Sequence, residues 1–437
     1  MSDIDAICLA ARSAALALAP LTNEVRNRAL AAMADAIDEN SGSILEANAE
    51  DAAAAEPLVA SGEMSEPLLR RLELSERKVA QMADGVRAVA ALPDPLGVAR
   101  MATLLDEELT LRRVTCPLGV VAAVFESRPD ALVQIASLCL KSGNASILKG
   151  GREAAHTNRL MSGLLRDAAA SSGDVPADAF QLVEAREDVQ ALLARDDAVD
   201  LLIPRGSNEF VRYIKQHSNI PVLGHADGIC HLYVDEAADT AMAVRLTFDA
   251  KTQYPAVCNA IETLLVHEKK AGEFLPLAAE ALAEKGVAIR GCDATRAILE
   301  SAGAASEEDW GTEYLDLILS VRVVESLAQA VDHINRYGSR HTDAIVTADE
   351  AAARTFLSRV DAASVMWNAS TRLADGFRYG FGAEVGIATD KIHARGPVGL
   401  EGLVTYKYQL EGNGQLVSDY EGADARVFLH RPIPLND

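Results

Sequence analysis

The chain has 437 residues, more than one compact core holds, so about two or three domains are expected. Its formal net charge of -23 leaves no basic face for general nucleic-acid binding, and an anionic ligand must find local cations within a repulsive field. The 49% hydrophobic and 24% charged content is a globular balance, and no apolar run is long enough to cross a bilayer.

From Ser2 to Leu92 the apolar spacing is helical, with Arg26 to Asp38 and Glu76 to Ala91 the clearest stretches. Ala6 to Leu21 opens with Asp3 and Asp5 and is interrupted by Arg12, so it reads as an amphipathic helix and not a signal peptide. Asn40-Ser-Gly-Ser43 breaks the first helical run and offers caps for the next, and Pro93-Asp-Pro-Leu-Gly97 ends the region. Leu104 to Thr115 alternates charged and apolar residues as an exposed hairpin does.

Strands and helices then alternate. Gly119 to Phe125 and Ala145 to Lys149 read as buried strands, as do Phe180 to Val183 and Val199 to Ile203. Ala131 to Lys141, Arg152 to Ala170, Asp188 to Ala194 and Asn208 to Gln216 read as helices. The pattern predicts a parallel sheet with helices on both faces and ligands beyond the carboxyl ends of the strands. A second block of this kind begins near His231 to Val234 and runs past Ile345 to Thr347.

Six cysteines, Cys8, Cys116, Cys139, Cys230, Cys258 and Cys292, form no CxxC pair, which predicts reduced thiols and a cytoplasmic setting. Cys258 is the candidate nucleophile. The polar segment Asp249-Ala-Lys-Thr-Gln-Tyr-Pro-Ala-Val-Cys258 leads into the strand-like run Ile261 to Val266, placing the sulfur on a loop or the first turn of a helix. A helix N-terminus there would favour the thiolate; a small buried hydrophobe is the alternative. Lys149, ending a strand, is either a phosphate or ribose contact or a lysine at the sheet rim. Gly206 and Ser207 open a helix after a strand, where backbone N–H groups cradle a phosphate or merely cap the helix. Arg128, just past a buried strand, is suited to an anion or to a salt bridge. No GxGxxG follows a strand, and no metal site is expected, His225 and His231 lacking ligand spacing.

Several long blocks together resemble the aldehyde dehydrogenase superfamily, within it the branch that reduces glutamyl 5-phosphate. They are Arg71 to Leu74 with Leu92 to Gly97, Pro117-Leu-Gly-Val-Val-Ala-Ala-Val-Phe-Glu-Ser-Arg-Pro129 and Lys141-Ser-Gly-Asn-Ala-Ser-Ile-Leu-Lys-Gly-Gly151. The Cys258 segment, Phe377 to Ile387 and His393 to Gly399 complete the set. The resemblance implies an α/β aldehyde dehydrogenase-like fold. It implies an NADP-binding domain over 1–103 and 117–229, a catalytic domain over 230–403, and an oligomerisation hairpin with a C-terminal strand over 104–116 and 404–437. That strand, Val404 to Leu410, would pair with a partner subunit in a homo-oligomer.

The implied activity is NADPH-dependent reduction of L-glutamyl 5-phosphate to L-glutamate 5-semialdehyde through a Cys258 thioester, the second step of proline synthesis from glutamate. Lys149 then matches an adenosine-ribose contact, Gly206 and Ser207 the pyrophosphate pair, and Glu313 the nicotinamide-ribose glutamate. Arg128, Asn368 and Arg372 are the candidates for holding the substrate. Hydrolytic members carry a glutamate base where this chain has Leu223-Gly-His-Ala-Asp-Gly228. A CoA-acylating dehydrogenase would share that feature, and a non-catalytic relative is the remaining alternative. Contact with a glutamate kinase is left open; neither nucleic acid nor membrane is an expected partner.

Overall fold

The 3.6-residue apolar spacing at the amino terminus becomes five helices in the computed structural model, which describes residues 3–185 and 187–435. Ser2, the expected start of the helical region, lies outside them. The helices are α1 (Asp3–Leu18), α2 (Asn23–Glu39), α3 (Ser41–Ala60), α4 (Glu66–Leu72) and α5 (Glu76–Ala91). Hydroxyl caps start two of them: Thr22 Oγ1 accepts from the Val25 N–H and Ser75 Oγ from the Lys78 N–H. Each such cap stabilises by ~1 kcal/mol relative to alanine. Leu30, Met33 and Ile37 of α2 and Val79, Val86 and Val89 of α5 lie on buried stripes that join one core.

β1 (Ala99–Asp106) and β2 (Leu109–Pro117) form the antiparallel hairpin. It begins earlier than the alternation at Leu104 indicated, because most of β1 is half-buried on both faces and gives no period-two contrast. The first parallel sheet contains β3 (Val120–Phe125), β4 (Ala145–Lys149), β5 (Phe180–Leu182) and β6 (Leu201–Arg205), in the order β5-β4-β3-β6. Its crossovers are α6 (Pro129–Lys141), α7 (Ala155–Ser171) and α8 (Glu187–Leu193), and α9 (Asn208–His217) follows β6. Every residue of β3 is buried, which is why it reads as an unbroken small-apolar run.

A larger parallel sheet follows. Its strands are β7 (Cys230–Val234), β8 (Ile261–His267), β9 (Ala288–Gly291), β10 (Gly303–Ala304), β11 (Ile318–Val324), β12 (Thr342–Val346) and β13 (Ser364–Trp367). They lie in the order β10-β9-β11-β8-β7-β12-β13, with α10 (Thr240–Thr252), α11 (Glu268–Ala283), α12 (Asp293–Ile298), α13 (Leu327–Tyr337) and α14 (Glu350–Arg359) between strands. Leu232, Val234, Leu264 and Val266 enter one core, while Tyr233 and Leu265 enter another, as strand pleating requires.

β14 (Gly386–Ala388) and β15 (Gly396–Val398) pair with each other, and nearby Val385, Ala388 and Val398 return to the first core. β16 (Val404–Glu411) pairs along β2 of its own chain, and β17 (Arg431–Pro432) pairs with β1. The strand expected to pair with a partner subunit pairs instead with the hairpin of its own chain, and its outer edge becomes the open edge of the sheet. No helix among the described residues is long and apolar enough to cross a membrane.

One buried ion pair joins α10 to β8: Lys251 Nζ lies 2.6 Å from Glu262 Oε2, both side chains fully buried. Burial raises the Glu262 carboxyl and lowers the Lys251 ammonium, and their contact opposes both shifts. Lys251→Met leaves Glu262 without its cation and should destabilise the protein by roughly 3–5 kcal/mol. Urea unfolding would show the loss, and adding Glu262→Leu should restore most of it.

Candidate active site

Cys258 sits half-buried in the loop between α10 and β8. The chain reaches it from the carboxyl end of α10, so no helix begins at the sulfur. A helix N-terminus is found instead at Cys292, the N-cap of α12. Burial pushes the Cys292 thiol up, but its contact with Thr295 Oγ1 and the Val323 N–H outweigh that and hold it below the usual thiol range. Cys292 follows β9 whereas Cys258 precedes β8, so the two lie at opposite ends of a parallel sheet. Burial drives Cys139 up to about 12 and raises Cys230 well above the ordinary range, consistent with core thiols.

Two histidines surround the Cys258 sulfur: the ligand atoms of His225, Cys258 and His341 all lie within 4.8 Å of one another. His225 occupies the stretch where hydrolytic enzymes have their base, and its Nδ1 lies 2.8 Å from the Ile387 carbonyl. A carbonyl only accepts, so Nδ1 carries the hydrogen and Nε2 is left with a lone pair. His341 stands immediately before β12, with Nδ1 2.9 Å from Thr342 Oγ1 and Nε2 buried with no partner but the Cys258 sulfur. Burial lowers the pKa of both imidazoles; the Ile387 carbonyl and Cys258, respectively, pull upward. His225 was weighed from sequence only with His231, which instead bonds Asp343 at 2.9 Å. His341 carries no signal in the sequence; only the sheet brings it to the sulfur.

The candidate cofactor residues gather beyond the carboxyl ends of the first sheet. Lys149 ends β4, paired beside Val124 of β3, while Arg205 at the end of β6 pairs beside Phe125. Lys149 is buried, its Nζ donating to the Gly150 carbonyl, and burial lowers its pKa against the pull of Glu153. Ser207 caps α9 through the Phe210 N–H, and its own N–H donates to Glu126 at 3.1 Å. A Cβ at Gly206 would approach that same carboxylate to 2.4 Å. Glu313 accepts from Asn208 at the first turn of α9 and from the Gly228 N–H. Gly228 in turn packs on the nucleophile: a Cβ there would lie 2.2 Å from the Cys258 carbonyl oxygen. These contacts run unbroken from the head of α9 to the sulfur.

Next to this lies a cleft of about 840 Å³, bordered by Arg70, Arg71, Lys78, Arg128, Tyr254 and Ala256. Its four cations stand with the carboxylates of Asp130, Asp375 and Glu384 in the same lining, which leaves a small excess of positive charge. Arg372 is nearly buried, its Nε donating to Gln253 at 2.9 Å beside the Cys258 loop. Arg205, which the sequence reading did not single out, shares electrostatic contact with Cys258 and Arg128. Its signal is the one used for Lys149, a cation ending a buried strand. Asn368 is not brought to this site. It follows the carboxyl end of β13, whereas Cys258 precedes the amino end of β8, and its amide is spent on the Thr347 N–H and carbonyl, both at 3.0 Å.

A half-buried thiol-bearing loop, a helix terminus of the phosphate-binding type and an open cleft on two parallel sheets define an oxidoreductase of the aldehyde dehydrogenase class. The sequence model of the aldehyde dehydrogenase family matches residues 1–289, and the chain belongs to that family. A gamma-glutamyl phosphate reductase of Natronomonas pharaonis is 56% identical over 422 residues, 96% of either chain. The crystal structure of gamma-glutamyl phosphate reductase from Thermotoga maritima superposes with a TM-score of 0.92 at 38% identity, covering 95% of this chain and 100% of that one. The Saccharomyces cerevisiae gamma-glutamyl phosphate reductase structure is 40% identical with a TM-score of 0.55, covering 96% and 100%.

Asp309 organises the loop that carries Glu313. It accepts from the Ser306 N–H at 2.7 Å, from Tyr314 Oη at 2.7 Å and from Arg290 at 2.5 Å. Burial alone would raise its pKa, but these donors hold the carboxyl well below the usual range. A depressed folded pKa means stability that is present above the unfolded value and lost as pH falls toward the folded one. Asp309→Asn should cost roughly 2–3 kcal/mol at neutral pH. Denaturant midpoints taken down the pH scale should show the gap to wild type shrinking below about pH 4.

Proposed function

We propose that the protein reduces L-glutamyl 5-phosphate to L-glutamate 5-semialdehyde with NADPH and releases phosphate, the second step of proline formation from glutamate. Full-length similarity to gamma-glutamyl phosphate reductases supports the substrate. The observation that carries the reaction type is the imidazole of His225 beside Cys258, where a hydrolytic enzyme holds a carboxylate to activate water. An acyl-enzyme resolved by phosphate chemistry has no use for that base.

In this reading the first sheet and its helices hold the cofactor, and the second carries the nucleophile. The residues present suit such a group. Lys149 takes the adenosine ribose, and neighbouring Arg152 adds a second cation for a ribose phosphate, which favours NADP(H). The head of α9, through Gly206 and Ser207, takes the pyrophosphate once the Glu126 carboxylate moves aside. Glu313 takes the nicotinamide ribose. Bound NADPH supplies the hydride that reduces the acyl group.

The chain's own residues do the rest. His341 Nε2 accepts the Cys258 proton, and the sulfur attacks the acyl carbon. The carbon–oxygen bond to phosphate breaks and a thioester forms. Backbone N–H groups of the Cys258 loop steady the oxyanion, each such donor contributing roughly 3 kcal/mol. Arg128 and the other cleft cations hold the phosphate, and Arg372, fixed by Gln253, holds the substrate carboxylate. After reduction the carbon–sulfur bond breaks, releasing the aldehyde and restoring the thiol. The outer edge of β16, with exposed Tyr406, Tyr408 and Leu410, is the surface we assign to a homo-oligomer contact.

The deciding assay is NADP reduction with glutamate 5-semialdehyde, run with and without phosphate. Turnover should depend strictly on phosphate. Phosphate-independent turnover would mean hydrolysis, and dependence on CoA would mean an acylating enzyme; either sinks the reading. Cys258→Ala should lose roughly 10³-fold or more in turnover with NADPH binding nearly unchanged.

A further inference from the structure

The sulfur of Cys258 and one ring nitrogen each of His225 and His341 lie within 4.8 Å of one another. His225 Nδ1 is committed to the Ile387 carbonyl, and the buried His341 Nε2 has no partner but the Cys258 sulfur. A single proton satisfies at most one of the two imidazoles facing the sulfur. Two imidazole nitrogens and a thiolate are instead a ligand set for a borderline-soft divalent cation. Zinc bonds of about 2.0–2.3 Å set ligand atoms roughly 3.3–3.8 Å apart, so a spread of up to 4.8 Å closes with small side-chain rotations. Cys230 does not complete the set: its thiol donates to the Cys258 carbonyl at 3.1 Å and faces the opposite nitrogen of His341 at 3.7 Å. The fourth position is left to water or to a ligand arriving from the cleft.

We propose that Cys258, His225 and His341 form a reversible zinc-class site that caps the nucleophile. Binding exchanges the thiol proton for the metal ion: one Zn²⁺ enters, one S–H bond breaks, a sulfur–zinc bond forms, and the proton leaves to solvent. The metal withdraws electron density from the capped sulfur and fills the space in front of it, so the occupied enzyme is silent until a chelator removes the ion. That the ion inhibits rests on the reading of Cys258 as nucleophile; that it binds does not.

The test uses the full-length, chelator-treated protein titrated with Co²⁺ and then Zn²⁺. Tetrahedral Co²⁺ on a thiolate gives a sulfur-to-metal charge-transfer band and strong visible bands, which Zn²⁺ should erase one-for-one. Both signals should vanish in Cys258→Ser and weaken about tenfold or more in His225→Asn and in His341→Asn. Melting curves would show that each variant is folded. Zinc should also block alkylation of Cys258 by iodoacetamide, and EDTA should restore it. Absence of the charge-transfer band in the wild type, or undiminished affinity in both histidine variants, would overturn the site. If the ion binds as described while Cys258→Ala keeps its turnover, the metal site stands and the nucleophile reading falls.

Discussion

The ion pair between Lys251 and Glu262 fixes the reach of everything at the site. Lys251 is in the last turn of α10 and Glu262 in the second residue of β8, so the pair clamps both ends of the loop that presents Cys258. Glu262 has a second oxygen, and it accepts from the Leu315 N–H at 3.2 Å. One buried carboxylate thus ties the nucleophile's loop to the segment that carries Glu313. Burying two charges is expensive, and apolar replacements often match such a pair in stability. What apolar residues would not supply is direction, because only hydrogen bonds of this kind set the loop and the Glu313 segment in a single register.

A similar economy of contact joins the two sheets. The head of α9 belongs to the first sheet, Glu313 to the second, and Asn208 bonds them. Gly228 stands between Glu313 and Cys258 and has no room for a side chain on the nucleophile's side. Glu313 and Cys258 are thereby both held against one short backbone stretch at Gly228. His225 stands beside the sulfur, held there by the Ile387 carbonyl.

The chain as a whole repels anions, yet the cleft beside Cys258 sets four cations against three carboxylates. Arg70, Arg71 and Lys78 come from the amino-terminal helices and Arg128 from the turn into α6. These residues are separated along the chain and converge because α5 and α6 pack together on the first core. Arg205 and Arg372 add charge from inside, each lowered by desolvation and each close enough to Cys258 to interact with it. Local placement of a few guanidinium groups in low-dielectric surroundings outweighs a screened surface excess of acid.

The alternation of strands and helices, the buried character of β3 and β4 and the candidacy of Cys258, Lys149, Gly206 and Ser207 were all legible in the sequence. Each is a local matter: apolar period, a cation ending a buried run, a glycine and a hydroxyl at a strand–helix junction. The hairpin and its closing strand were legible as elements, but their pairing was not, since an edge strand presents the same pattern to its own chain or to another. Asn368 and Arg372 stand four residues apart after β13, and only the turn between them separates an amide spent on Thr347 from a guanidinium brought to Gln253. His341 and Arg205 meet Cys258 through packing between distant segments, and the His225 tautomer is set by the distant carbonyl of Ile387. Period and turn chemistry are properties of neighbours along the chain, so the sequence alone determined the elements and the candidacy of Cys258. Convergence of lone pairs, charges and cleft walls depends on contacts between residues far apart in the chain, and the tertiary structure alone decided it.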